Sequence, residues 1–180
     1  MYILDEISSA REYIIQAFLE LLASKTFEMI TVKEIVKKAG ISRSTFYIHY
    51  KDKYELMVHI REHITTEFLS FYTIDRGEKI DPSLSINTIT YKICQHIFKY
   101  RNFYQHEFDK PEYTQKLSNA LAEELTQVYE DQSYAIFASF GTIGYLTFWV
   151  RNNFQMSPLE AAEDLGKIGM TDWSVQRKKM

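Results

Sequence analysis

Apolar residues recur along this chain mostly at intervals of three and four, the period of helices that each bury one face. Ile14, Phe18 and Leu21 mark such a face, with Ile7 just ahead of it. Ser8 or Ser9 is the predicted start of this first helix, because Glu12 stands three residues after Ser9. Ile35, Val36 and Ala39 mark a second, short helix. A long helix follows Asp52 and runs to about Tyr72, with Glu55 as the box partner of its cap. Its stripe is Met57, Ile60, Ile64, Phe68 and Phe71. Residues 75–81 are polar, contain Gly77 and predict a loop. Asp81 and Pro82 then open a helix that reaches about Tyr100. A short helix or bend is expected over 101–109. Helices are expected from Asp109 and Pro111 to about Glu130, from about Ser133 to Asn152, and from Ser157 to about Gly169. The tail from Asp172 is charged and is expected to fray. The fold class is therefore all-α, with no repeats and no low-complexity segment.

Residues 31–53, TVKEIVKKAGISRSTFYIHYKDK, break this plain pattern and carry the most specific signal. Thr31 can cap a helix, and Glu34 three residues later completes a capping box. Gly40 stops that helix, since a residue without Cβ enters the left-handed conformation at little cost. Ser42 can cap the next helix, which runs from Arg43 to about His49. Ile41 and Phe46 pack it onto the first. Its other positions, Arg43, Ser44, Thr45, Tyr47 and His49, are polar or amphipathic, as contact with phosphates and base edges requires. Two short helices joined by a tight turn form a helix-turn-helix; an ordinary helical hairpin is the bland alternative.

The extended run Gly-Ile-Ser, Thr-Phe-Tyr and His49-Tyr50-Lys51-Asp52-Lys53-Tyr54-Glu55-Leu56 resembles the DNA-binding segment of the TetR family of bacterial transcriptional regulators. The resemblance implies a three-helix DNA-binding domain at 1–51 and a larger helical ligand-binding and dimerisation domain at 52–180. It implies double-stranded DNA, a second copy of the chain and a small-molecule effector as partners. Position by position, Thr31 and Lys33 stand where the family meets phosphates. Ser42, Arg43, Ser44 and Thr45 stand at the exposed start of the recognition helix, and Tyr47 and His49 at backbone-contact positions. Lys53 stands where a lysine reaches a phosphate. Arg43 either spans a guanine edge or holds a phosphate, and Tyr50 packs into the small domain. The last two helices resemble the family's dimerisation pair, with Phe140, Gly141, Ile143, Gly144 and Thr147 as its face; close packing inside one subunit is the alternative for the glycines. Residues 100–108 and 141–165 are loosely similar to a subgroup tied to dihydroxyacetone kinase regulation. The implied function is a ligand-responsive repressor acting as a homodimer on an inverted repeat. A TetR-like activator, or a helical regulator that no longer binds DNA, is the alternative.

Charge changes this picture in one respect. The 180 residues carry a formal net charge of −3. Residues 31–61 hold seven Lys or Arg against three Asp or Glu, a local +4, which leaves −7 on the remainder. One Cys excludes an internal disulfide. With no basic leader and no membrane-length apolar run, a cytoplasmic protein without a membrane partner is expected. Cys94 and His96 do not share a helix face, and no phosphate-cradling loop or nucleophile elbow is present, so no enzyme and no cofactor is expected. His59, His63 and Glu67 lie four apart along one helix side, a row that can hold a metal only with a further ligand; solvated side chains are the plainer reading. Aromatics make up 15% of the chain. Phe68, Phe71, Tyr72, Tyr91, Phe98, Tyr104, Phe108 and Tyr113 fall on consecutive elements and are expected to line an effector pocket, with core packing as the alternative for each.

Overall fold

The structure, a computed structural model, describes residues 2–72, 86–129 and 131–170, and among them every regular element is helical. In chain order they are α1 (Tyr2–Leu22), a 3-10 turn (Phe27–Met29), α2 (Val32–Ala39), α3 (Arg43–His49), α4 (Lys53–Ser70), α5 (Ile86–Lys99), α6 (Arg101–Glu107), α7 (Pro111–Tyr129), α8 (Gln132–Arg151) and α9 (Pro158–Gly169). The expected loop at 75–81, the Asp81-Pro82 helix start and the charged tail lie outside the described residues.

Most ends fall where the sequence places them, and the local chemistry shows why. Thr31 and Glu34 cap each other at α2, and Ser157 and Glu160 do the same at α9, where Pro158 takes the first helical position. Gly40 closes α2 at φ 69°. Asp52 caps α4 through the Tyr54 and Glu55 amides. Glu55, expected to reciprocate at Asp52, instead accepts from the amide of Lys51 one residue earlier. The first helix also departs from expectation. It begins at Tyr2, six residues or more before Ser8 or Ser9, because no Pro or Gly interrupts residues 2–22 and a serine inside a helix costs only tenths of a kcal/mol, roughly.

α1, α2 and α3 form a small head around Ile14, Phe18, Ile30, Ile35, Val36 and Phe46. Lys38 ties α2 to Glu20 of α1 at 2.8 Å. Tyr50, just past α3, is buried as expected; its hydroxyl accepts from Arg11 Nε at 3.1 Å and lies 3.1 Å from His59 Nδ1. Burial, then the nearby Arg11, push the His59 pKa down, so the neutral ring is available to accept the Tyr50 proton. One side chain thus joins α1, α3 and α4.

The larger part is built from helix pairs, α7 along α8 and α5 along α9, with α4 and α6 between them and the head. Glu107 of α6 is fully buried. Its carboxylate accepts from Arg61 Nε at 2.7 Å and Nη2 at 3.2 Å, and from Lys110 Nζ at 2.7 Å. Burial alone would raise its pKa, but these bonds outweigh burial and hold it below the usual carboxylate range. Because the folded value is the lower one, this contribution is complete above the ordinary carboxylate range and is lost as pH falls through the lowered value. Arg61→Ala leaves the buried carboxylate with Lys110 alone. It should cost about 3 kcal/mol, the low end for a broken buried pair, in urea unfolding at neutral pH. The deficit should shrink as pH falls toward the carboxylate range.

Candidate nucleic-acid interface

The short helix α3 places its residues at about 100° intervals around its axis. Phe46 is fully buried and fixes the inward pole. Ser44 and Ile48, two residues to either side, therefore straddle the outward pole, and both are exposed. Tyr47 is exposed on one flank, while Thr45 and His49 are half-buried. Arg43 is exposed at the first turn, near the Phe46 side of the axis, and its side chain tilts toward the helix N-terminus. Of the nine residues assigned to DNA contact, Thr31, Lys33, Ser42, Arg43, Ser44 and Tyr47 are exposed.

Several of their polar groups already have partners. The Thr31 hydroxyl and Glu34 carboxylate bond each other at 2.9 Å. Lys25 and then Thr31 hold Glu34 down to about 2, so the α2 N-terminus carries a Lys25–Glu34 ion pair at neutral pH. Ser42 Oγ accepts from the Thr45 amide at 3.0 Å and lies 2.7 Å from Ser44 Oγ. These hydroxyls fix the start of α3, and Lys33, Lys37, Lys38, Arg43 and Lys51 surround the motif with exposed positive charge.

Lys53 is placed differently from its expected phosphate role. Its ammonium donates to the carbonyls of Phe27 at 2.9 Å, Glu28 at 2.9 Å and Ile30 at 2.8 Å. All three of its protons are thereby used, and the charge lies 4.7 Å from the Phe27 ring centre. The turn leaves its carbonyls room for a further donor: Phe27 O already accepts from the Ile30 amide at 3.2 Å and takes Lys53 on its other lone pair. Lys53 positions α4 against the head.

The eight aromatics expected at an effector pocket do not enclose one among the described residues. Phe68, Tyr104, Phe108 and Tyr113 are buried in the core, and Phe71 and Tyr72 pack against it. Their rings interlock: Tyr104 lies 5.0 Å from Phe108 and 5.2 Å from Phe103, centre to centre. The hydroxyls expected to orient a ligand serve each other's neighbours. Tyr104 Oη meets His96 Nε2 at 3.0 Å, and Tyr113 Oη meets Thr65 Oγ1 at 3.1 Å. Burial pushes His96 down to about 4, so it is neutral there. Tyr91 and Phe98 stand at the surface, Phe98 against Phe154. A cleft of about 490 Å³ opens elsewhere, between α1, α4 and the α5–α6 junction. Ile15, Leu19, Ile60 and Ile64 line it, with Glu12 and Arg101 among its charged residues, and none of the eight aromatics takes part.

The row of His59, His63 and Glu67 divides. His59 faces Tyr50, while Glu67 lies 3.9 Å from His63 and 3.5 Å from His96 and accepts from Tyr100 at 2.8 Å and Lys99 at 3.3 Å. Among the described residues no group of three His, Cys, Asp or Glu is placed to hold a metal ion.

On α8 the expected face divides. Phe140, Gly141 and Gly144 are exposed, and a Cβ built on either glycine meets nothing within 4 Å. Packing inside the subunit therefore does not require these glycines. Ile143 is only 2% exposed and belongs to the subunit's own core; Thr147 sits at the border, half-buried. The helical period replaces Ile143 with Phe137 and Phe148, 67% and 58% exposed, on the outward stripe. α8 is also, by length and composition alone, apolar enough to cross a membrane, which corrects the sequence reading that no apolar run is of that length. Here one side of it packs along α7 and the other carries that stripe.

A sequence model described as bacterial regulatory proteins, tetR family, matches residues 14–60, the span from within α1 to mid-α4 that contains the whole motif. This segment belongs to the TetR family. Among relatives, YxbF of Bacillus subtilis (strain 168), described as an uncharacterized HTH-type transcriptional regulator, is 25% identical over 162 residues, 83% of this chain and 42% of its own. YvdT of the same organism, described in the same terms, is 36% identical over 62 residues, 34% of this chain and 32% of its own. The chain thus spans less than half the length of the curated relatives it matches. A solved transcriptional regulator from Aquifex aeolicus VF5 shares the fold at a TM-score of 0.68 with 18% identity, covering 88% of this chain and 96% of that one. The dihydroxyacetone kinase operon activator DhaS also scores 0.68, with 17% identity over 88% and 93%.

One position passed over in the sequence is Ile48, whose signal is its place two residues after the buried Phe46. The other is the carbonyl cage of Lys53, 26 residues from Phe27, for which no local pattern exists. Lys53→Ala should lower stability by about 1.5–3 kcal/mol, the range for bonds to a charged group, read by thermal melting. It should leave the salt dependence of any DNA binding unchanged, whereas loss of a phosphate contact would reduce that slope by about one.

Proposed function

We propose that this TetR-family protein is a DNA-binding transcriptional regulator that acts as a homodimer on an inverted-repeat operator. The observation that carries the reading is the outward face of α3, exposed, pinned from behind by Phe46 and Tyr50, and set in the positive segment of an acidic chain. Arg43, at the flank and tilted past the helix end, holds a phosphate; Ser44 and Tyr47 approach the groove. Thr31 and Lys33 meet the backbone at the start of α2. The exposed stripe on α8, with two glycines open to a partner's close approach, supports pairing through a second copy of α8 and α9. Two-fold symmetry then sets the recognition helices about 34–36 Å apart, one DNA turn.

Regulation by a small molecule requires a site that differs between two states of the protein. The cleft between α1 and α4 suits this, because a molecule there touches the head and the larger part together. Repression follows wherever the operator overlaps a promoter. DhaS bears the name of an activator, so the sign of control belongs to operator placement rather than to the fold. The location that goes with this role is the cytoplasm.

Two measurements test this. Duplexes selected by the protein from a random library, titrated by fluorescence anisotropy, should bind with affinity that falls steeply as salt rises. Arg43→Ala should weaken all duplexes alike and reduce the slope by about one. Binding without salt dependence, or none at all, rejects the DNA role. In light scattering the wild type should be a dimer at micromolar concentration. Gly144→Trp should shift it to monomer with its helical content intact, since Gly144 is exposed and a Cβ there meets nothing within 4 Å.

A further inference from the structure

Ile48 has the largest exposed fraction of the bulky apolar side chains described, 74%. It stands on a seven-residue helix whose other outward residues are polar. Solubility does not call for it there, and it contributes no burial to the head. Ile48 and Ser44 straddle the pole opposite Phe46, so Ile48 points where a groove floor lies if α3 enters DNA, rather than toward the phosphate ridges at its sides. An isoleucine has no proton to donate, so it cannot hold a phosphate or a base edge by hydrogen bonding. The apolar group that the major groove offers is the C5-methyl of thymine. The β-branched side chain keeps few rotamers and meets such a methyl at small entropic cost.

We propose that Ile48 is a specificity-determining residue that selects thymine in each operator half-site by van der Waals contact with its C5-methyl. This rests on the DNA-binding reading above. Selection by Ile48 is directional: deoxyuracil, which lacks only the methyl, must lose the contact while keeping every hydrogen bond.

The test pairs the full-length protein with its selected duplexes, in which each thymine of the half-site is replaced in turn by deoxyuracil. Wild-type affinity should fall about fourfold at one position per half-site, the worth of one buried methyl. Ile48→Ala should bind the thymine duplex about tenfold more weakly and lose its sensitivity to deoxyuracil at that same position; Ile48→Val should keep part of it. The alanine variant should melt with the wild type, because the removed atoms are solvated and alanine favours helix. Salt-dependent binding that no deoxyuracil alters, or a deoxyuracil penalty that persists in Ile48→Ala, overturns the thymine contact and leaves the regulator reading standing. A wild type that selects no duplex overturns both.

Discussion

Three carbonyl oxygens meeting one ammonium hold this architecture in register. The turn Phe27–Met29 and its cap Ile30 turn carbonyls toward α4, and Lys53 supplies a proton to each of three acceptors, at Phe27, Glu28 and Ile30. That contact fixes the first turn of α4 against the connection between α1 and α2. The chain between Gly40 and Asp52 then has little freedom: Phe46 is buried beneath α3, and Tyr50 bonds Arg11 of α1 and faces His59 of α4. The direction in which α3 faces is therefore set from behind, by apolar packing and by the bonds of the Tyr50 hydroxyl. Ser44 apart, which bonds Ser42, its outward side has few structural duties. A surface that carries little structural burden can vary to suit a sequence of base pairs while the head stays the same.

The same helix α4 is held at its other half by Arg61 on the buried Glu107. Two charged anchors eight residues apart thus join α4 to the head and to α6, and both involve a charge that would be costly to leave alone. Both anchors tie α4 to what flanks it, and the α1–α4 cleft lies along the same helix. Carrying one face to DNA and another to a second copy is consistent with the division of charge: the positive segment lies at the motif, and the exposed stripe of α8 is nearly uncharged.

What the sequence disclosed and what it withheld follow the range of the interactions involved. The box at Thr31 and Glu34, the left-handed Gly40, the cap at Ser42 and the proline at Pro158 are settled within four residues, and each is seen where the sequence puts it. The bond between Arg61 and Glu107 spans 46 residues and has no local mark. The aromatic set was legible as apolar but not as filled: Tyr104 and Tyr113 would look the same in sequence whether their hydroxyls met a ligand or, as here, His96 and Thr65. Ile143 was assigned outward from family resemblance and helical spacing together, yet it shares an inward edge with Ser139 and Leu146. The early start of α1 was missed because a cap-like serine also tolerates a helix interior.

The central claim is that the outward face of α3 is the DNA surface, presented by a head that does not rearrange. Backbone amide shifts, followed by nuclear magnetic resonance as a selected duplex is added, test it most directly. The account predicts large shifts at residues 43–49 and around 31–33, with the α5 and α9 amides nearly still and the Phe27–Met29 turn keeping its free-state shifts. Shifts concentrated on α8 and α9, with 43–49 unmoved, would contradict it.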